Sequence, residues 1–259
     1  MTESKKPVCL VIGAGAGIGG HVGNRFARAG YHAALCRRSN EDGLRKLVEE
    51  IEGNGGNASG YILNAVEAAS IEDRVDAIES EVGPIEVVVF NLGAQIGDRH
   101  LADTSYKAFE TGWRLATFAL FRTAHAVCPR MEERGKGTIL VTSATAAYRG
   151  NAGQHSHAAA MGGRRMLCQT LNAEFSPKGI HVAQILIDGA VDAPDTLGKM
   201  LGPERFQQLR EARGLEHDGL ILPAEIAETY FHIAQQHRSA WTHEVDLRAF
   251  SDVPWWNHA

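Results

Sequence analysis

The run Val8-Cys9-Leu10-Val11-Ile12 stops abruptly in Gly13-Ala14-Gly15-Ala16-Gly17-Ile18-Gly19, and a helical pattern then follows through Val22, Phe26 and Ala29 to Gly30. A short apolar strand, a bare turn and a helix N-terminus are the parts of one βα unit. Glycine is the residue type required there, because any side chain would keep a ligand away from the backbone N–H groups. Those N–H groups and the positive end of the helix favour a phosphate group. The literal G-x-G-x-x-G falls on Gly15, Gly17 and Gly20. The register Gly13-x-x-x-Gly17-x-Gly19 fits better, since the strand ends right before Gly13. The turn therefore points to a dinucleotide before any chemistry is visible.

The alternation continues to the end of the chain. Strands are predicted at Val8–Ile12, His32–Cys36, Ala58–Leu63, Ile85–Phe90, Thr138–Thr142, Ile180–Ile187 and Glu244–Leu247. Helices are predicted between them: Ile18–Ala29, Glu41–Ile51 capped by Ser39, one from a Ser70 cap, Tyr106–Glu133 with a kink at Pro129, Ala152–Phe175, and Ala224–Gln235 begun by Pro223. Strands alternating with helices make an α/β fold: a doubly wound, Rossmann-type parallel sheet of seven strands with helices on both faces. No repeat, linker or composition break divides residues 1–259, so one domain is expected. Residues 192–222 read as an irregular, partly helical lid, with Leu197, Met200, Leu201 and Phe206 as its apolar side chains.

Composition narrows the partners. The formal charge of −5 over 259 residues argues against a nucleic-acid surface. No window is long and apolar enough for a membrane span, and Met1–Pro7 carries no apolar segment behind its lysines, so no signal peptide is expected. The four cysteines, at 9, 36, 128 and 168, form no C-x-x-C pair and sit in apolar runs, as buried reduced thiols of a cytoplasmic protein would. The His155/His157 pair alone is a poor metal signal, and no metal site is expected.

The end of the second strand reports on the cofactor. A site for NAD usually places an acid there to hold the ribose hydroxyls. This chain has Cys36, then Arg37 and Arg38. With no acid to repel a 2′-phosphate and two guanidiniums to bind it, NADP(H) is favoured over NAD(H).

At this point the chain resembles the short-chain dehydrogenase/reductase family over nearly its whole length. Gly13-x-x-x-Gly17-Ile18-Gly19 is similar to the family's T-G-x-x-x-G-I-G turn, and Ile85–Gly93 to its I-D-V-L-V-N-N-A-G strand. Gly137–Val141, Pro177–Val182, Asp188–Val191 and Pro223–Ala227 match further segments. The resemblance implies cofactor contacts at Gly13, Gly15, Gly17, Ile18 and Gly19. It places Asn64 and Ala65 at the adenine, Asn91 and Gly93 beside the adenosine ribose, and Gly189 and Val191 near the nicotinamide. It also implies a homodimer or homotetramer built on two long helices, for which Phe109-Trp113 and Leu115-Ala119 offer apolar stripes.

The resemblance breaks at the active centre. The usual serine, tyrosine, lysine and helix asparagine align with Ala144, His157, Met161 and Ala116, and no Y-x-x-x-K occurs anywhere in the chain. A phenol needs a nearby cation to lose its proton near neutrality. An imidazole, titrating near pH 6.5 when unperturbed, does not. Tyrosine-to-histidine with lysine-to-methionine is therefore a physically compatible pair. His157 is the candidate acid–base, with Ser143 or Thr145 polarising the oxygen of a small-molecule carbonyl or alcohol. The alternatives are an oxidoreductase using other groups, a lyase or isomerase on this fold, and a dinucleotide-binding sensor or assembly protein in which His157 is an ordinary helix residue. Arg114 and Arg122 read as solvated or interface residues.

Overall fold

The structure is a computed structural model that describes residues 5–93, 100–214 and 216–257. Residues 1–4, which carry part of the signal-peptide argument, and Leu215 in the lid lie outside these. Among the described residues, no helix is long and apolar enough to cross a membrane.

Seven strands form one sheet in the order β3-β2-β1-β4-β5-β6-β7. They are β1 (Val8–Ile12), β2 (His32–Arg37), β3 (Asn57–Ile62), β4 (Ile85–Phe90), β5 (Gly137–Ala144), β6 (Ile180–Ile187) and β7 (Glu244–Leu247). Every pairing is parallel. Parallel strands covered on both faces read as continuous apolar runs, and their side chains still alternate between the faces. Val8, Leu10 and Ile12 pack into one cluster with α3 (Ser70–Glu81), α5 (Ala119–Arg134) and α6 (His155–Phe175). Cys9 and Val11 pack into the other with α1 (Ile18–Arg28), α2 (Glu41–Gly53) and α9 (Pro223–Ala234). The chain reverses its direction of travel across the sheet between β1 and β4, and this opens a crevice at the carboxyl ends of those strands. All four cysteines are free and buried. Burial pushes the thiols of Cys36, Cys128 and Cys168 up to about 12.

Several local expectations are corrected. Asn40, not Ser39, caps α2: it adopts φ 67° and its side chain accepts from the Gly43 N–H. Asparagine tolerates this left-handed region better than most residues. Ser70 is the first residue of α3 and not its cap, and its hydroxyl donates to the carbonyls of Asn64 and Glu67. The long helix carries its irregularity at Arg114–Phe118, a π-helical turn between α4 (Tyr106–Trp113) and α5, while α5 runs on through Pro129 to Arg134. Strand β5 continues to Ala144, and α6 begins at His155 rather than Ala152. Phe109 and Trp113 of the expected stripe are each 42% exposed, whereas Ala119 is core.

Arg122 is buried, not solvated. Its guanidinium pairs with Glu72 and donates to the carbonyls of Ala65 and Glu67. It thereby fixes the loop after β3 that carries Asn64 and Ala65. The segment expected to form a lid is partly helical: a π turn at Pro194–Gly198, then α7 (Lys199–Leu201) and α8 (Pro203–Arg213). Phe206 is buried in it, and Met200 is exposed.

Candidate functional site

The glycine turn is built for close approach. Gly13 has φ 104°, and a Cβ there would stand 2.6 Å from the Asn91 carbonyl oxygen. Gly19 packs its α-carbon against the Gly13 carbonyl, with no room for a side chain. Gly15 faces open space. Helix α1 starts at Ile18 with no side-chain cap and no acid in its first turn. The Gly20 and His21 N–H groups donate to the Gly15 and Gly17 carbonyls, which leaves those of Ile18 and Gly19 for an anion from outside the helix.

A chain of hydrogen bonds holds this turn. The Asn91 amide donates to the Gly13 carbonyl at 2.9 Å, and the Thr142 hydroxyl donates to the Asn91 side-chain oxygen at 2.7 Å. The Tyr230 hydroxyl lies 2.7 Å from Thr142 Oγ1. Thr142 has one hydroxyl proton and spends it on Asn91, so Tyr230 donates. Burial pushes the Tyr230 phenol well above its ordinary range, which keeps that proton in place. Tyr230→Phe should lose about 1 kcal/mol of stability, the net worth of one hydrogen bond, in urea denaturation. Sequence reasoning missed Tyr230 because only the folded sheet brings α9 against β5 and β6.

Arg37 ends β2, and its Nη1 is buried without a hydrogen-bond partner among the described residues. Its other terminal nitrogen lies 4.0 Å from the Asp195 carboxylate. An orphaned guanidinium nitrogen beside the glycine turn fits a phosphate group. Arg38 stands further out, lining a separate cavity of about 430 Å³ with Leu63 and Asn64. The Asn64 side chain donates to Glu67 at 2.8 Å.

A cavity of about 230 Å³ opens at the carboxyl ends of the strands. His157, Ser143, Ala144 and Met161 all line it, as do Ile18, Asn91, Gly93 and Val191. At this size it takes a small ring and a substrate group, not a whole dinucleotide. Ser143 is 4% exposed, and its hydroxyl has no hydrogen-bond partner among the described residues. Ala116 is fully buried and packs with Ala146, Ala160 and Met161 just behind the cavity. Gly189 is not part of the lining. It lies one residue past Asp188, whose carboxylate accepts from Arg248 and from the Trp255 N–H, each at 3.0 Å. Val191 bridges to Ile221, which sets the inner edge of the lid.

Two charged groups in this region escaped sequence reasoning. Arg164, on α6 two turns after His157, also lines the cavity wall. Asp195, in the segment expected to form a lid, lies near the glycine turn. It pairs with Lys199 at 3.1 Å, lies 4.0 Å from Arg37, and is stabilised by the nearby Ala16 N–H. Lys199 first, then the Ala16 N–H and Arg37, hold its carboxyl below the usual carboxylate range against the opposing pull of desolvation. These contacts are intact at neutral pH and weaken only as pH falls through that lowered value.

Comparison with known proteins agrees with this architecture. The short chain dehydrogenase family model matches residues 7–196. The short-chain reductase protein NovJ of Streptomyces niveus is 33% identical over 245 residues, covering 93% of this chain and 92% of that protein. The (2S)-[(R)-hydroxy(phenyl)methyl]succinyl-CoA dehydrogenase subunit BbsC of Thauera aromatica is 31% identical over 229 residues, 87% of this chain and 86% of its own. The crystal structure of a short-chain dehydrogenase from Rhodopseudomonas palustris superposes with a TM-score of 0.78 at 31% identity, covering 94% of this chain and 99% of that one. With its seven-stranded parallel sheet and glycine turn, the chain belongs to the short-chain dehydrogenase/reductase family of oxidoreductases, whose fold binds NAD(P).

Proposed function

We propose that this protein interconverts a carbonyl and an alcohol with NADP(H), using an active centre in which His157 moves the proton and Ser143 orients the substrate oxygen. The observation that carries the reading is the meeting of His157 and the orphaned Ser143 hydroxyl in one cavity at the strand ends. A bound nicotinamide would exchange hydride with the substrate carbon. The residues Gly13, Gly15, Gly17, Ile18 and Gly19 would receive its diphosphate, Asn91 and Gly93 its adenosine ribose, and Val191 its nicotinamide end, with Gly189 outside the cavity. Asn64 and Ala65 would meet the adenine.

Reduction requires a proton at the oxygen, and oxidation requires its removal. The His157 imidazole performs either task without the cation a phenol needs. Ser143 has a free O–H to give to the substrate oxygen. Reductase and dehydrogenase names among the relatives support this class of reaction.

The test has two stages. Calorimetry with NADPH and NADP⁺ measures binding, and a panel of carbonyls and alcohols followed by the absorbance of reduced nicotinamide measures turnover. Turnover on any panel member supports the proposal. Tight binding with no turnover would mark a dinucleotide-binding protein without redox chemistry. Product without net cofactor oxidation would mark a lyase or isomerase.

Selection of the phosphorylated cofactor is assigned to Arg37 and Arg38. A charge-assisted hydrogen bond contributes about 1.5–3 kcal/mol. Arg37→Ala should therefore lower the NADPH-to-NADH affinity ratio by about 10- to 150-fold while leaving NADH binding nearly unchanged. An unchanged ratio would remove Arg37 from the 2′-phosphate site.

A further inference from the structure

Arg164 is 1% exposed, yet it lines the cavity that holds His157 and Ser143, and its guanidinium bonds to Thr142 and Leu92 of the same lining. It donates to three main-chain carbonyls: Ala116 at 2.9 Å, Thr142 at 2.7 Å and Leu92 at 2.6 Å. Its underside lies over the Phe90 ring, 5.1 Å from the centroid. These contacts come from the π turn and from the ends of β4 and β5, so the group cannot swing away. Among the described residues no carboxylate forms an ion pair with it. Carbonyl dipoles solvate the charge but do not cancel it. Among the described residues that line the cavity, Arg164 alone carries a permanent charge, so they present a fixed positive charge in a poorly screened setting.

We propose that Arg164 makes this site discriminate between the redox states of a nicotinamide cofactor, favouring the uncharged reduced ring over the cationic oxidised ring. The inference rests on the reading that the nicotinamide enters this cavity. Two unit charges about 6–10 Å apart at an effective dielectric of about 20 repel enough to shift an equilibrium by about 15- to 100-fold. By linkage, the bound oxidised ring becomes a stronger hydride acceptor by the same factor. The oxidised form also leaves the site more readily than the reduced form.

Binding alone tests this. Dissociation constants are measured by calorimetry for NADPH, NADP⁺ and 2′-phospho-ADP-ribose, which lacks the ring. The wild-type protein should bind NADPH at least about 15-fold more tightly than NADP⁺. Arg164→Met and Arg164→Gln should narrow that gap by tightening NADP⁺, with 2′-phospho-ADP-ribose unchanged. Arg164→Lys, which keeps the charge, should retain the gap. A folded Met or Gln variant with the gap intact would overturn the proposal. So would equal weakening of all three ligands, the signature of a purely structural role. If the uncharged variants do not fold, equal wild-type affinities for the two redox forms overturn it without them. Failure of the wild-type protein to bind any of the three ligands would overturn the cofactor reading as well, which separates the two failures.

Discussion

Replacing His157 with alanine is expected to lower kcat on any substrate identified by about 10²- to 10⁴-fold, the usual contribution of a general acid–base group. That corresponds to about 2.7–5.5 kcal/mol of transition-state stabilisation. The dissociation constant for NADPH should barely move, because His157 lies on α6 across the cavity from the glycine turn. The pH profile of kcat/KM should also lose an ionisation that the wild-type protein shows. Steady-state kinetics beside calorimetry separates these outcomes. An unchanged kcat would return the proton transfer to another group or to the substrate itself. Met161 sharpens the prediction. It lines the cavity one turn along the helix and is nearly fully buried, so no lysine stands ready to support a tyrosine at 157. Restoring tyrosine alone should therefore rescue little.

Replacing Gly13 with alanine is expected to cost about 2–5 kcal/mol of folding stability. Part is the strain of a side chain at positive φ, about 1–2 kcal/mol. The rest is overpacking, about 1–3 kcal/mol, because the new Cβ would lie 2.6 Å from the Asn91 oxygen and 2.8 Å from its carbonyl carbon. Neither atom is free to retreat, since Asn91 is tied to Thr142 and through it to Tyr230. Urea denaturation reads the loss. Gly15→Ala is the control. Nothing lies within 4 Å of its would-be Cβ, so stability should hold. If a diphosphate approaches that open face, its binding should weaken. A Gly15 variant that is both stable and fully competent to bind would move the diphosphate elsewhere.

The fold was legible because its signals are local and periodic. Val8–Ile12 is apolar at every position, which only a strand covered on both faces explains, and the glycines after it mark the turn. The boundaries that were missed depended on single dihedral angles. Asn40 displaced Ser39 as a cap by entering the left-handed region, and spacing alone does not carry that choice. At the site, the meeting of His157, Ser143 and Met161 was readable from the register of the family's motifs. The charged groups around them were not. Arg122 and Arg164 look like surface residues in a helical pattern. Only folding shows that the loop after β3 and the ends of β4 and β5 turn carbonyl oxygens toward them. Asp195 lay in a segment without periodicity, so its ion-pair neighbour Arg37, far back in the chain, left no trace in the sequence.

The Asp195 carboxylate also has a bearing on how the protein rests between encounters. It stands 4.0 Å from the Arg37 guanidinium and close to the Ala16 N–H. A phosphate drawn to Arg37 as proposed would meet an anion of its own sign, and only a ligand with enough purchase elsewhere would displace it. Occupancy by such a nucleotide and release of Asp195 would then be two readings of one equilibrium, and anything that holds Asp195 in place would weaken the nucleotide in equal measure.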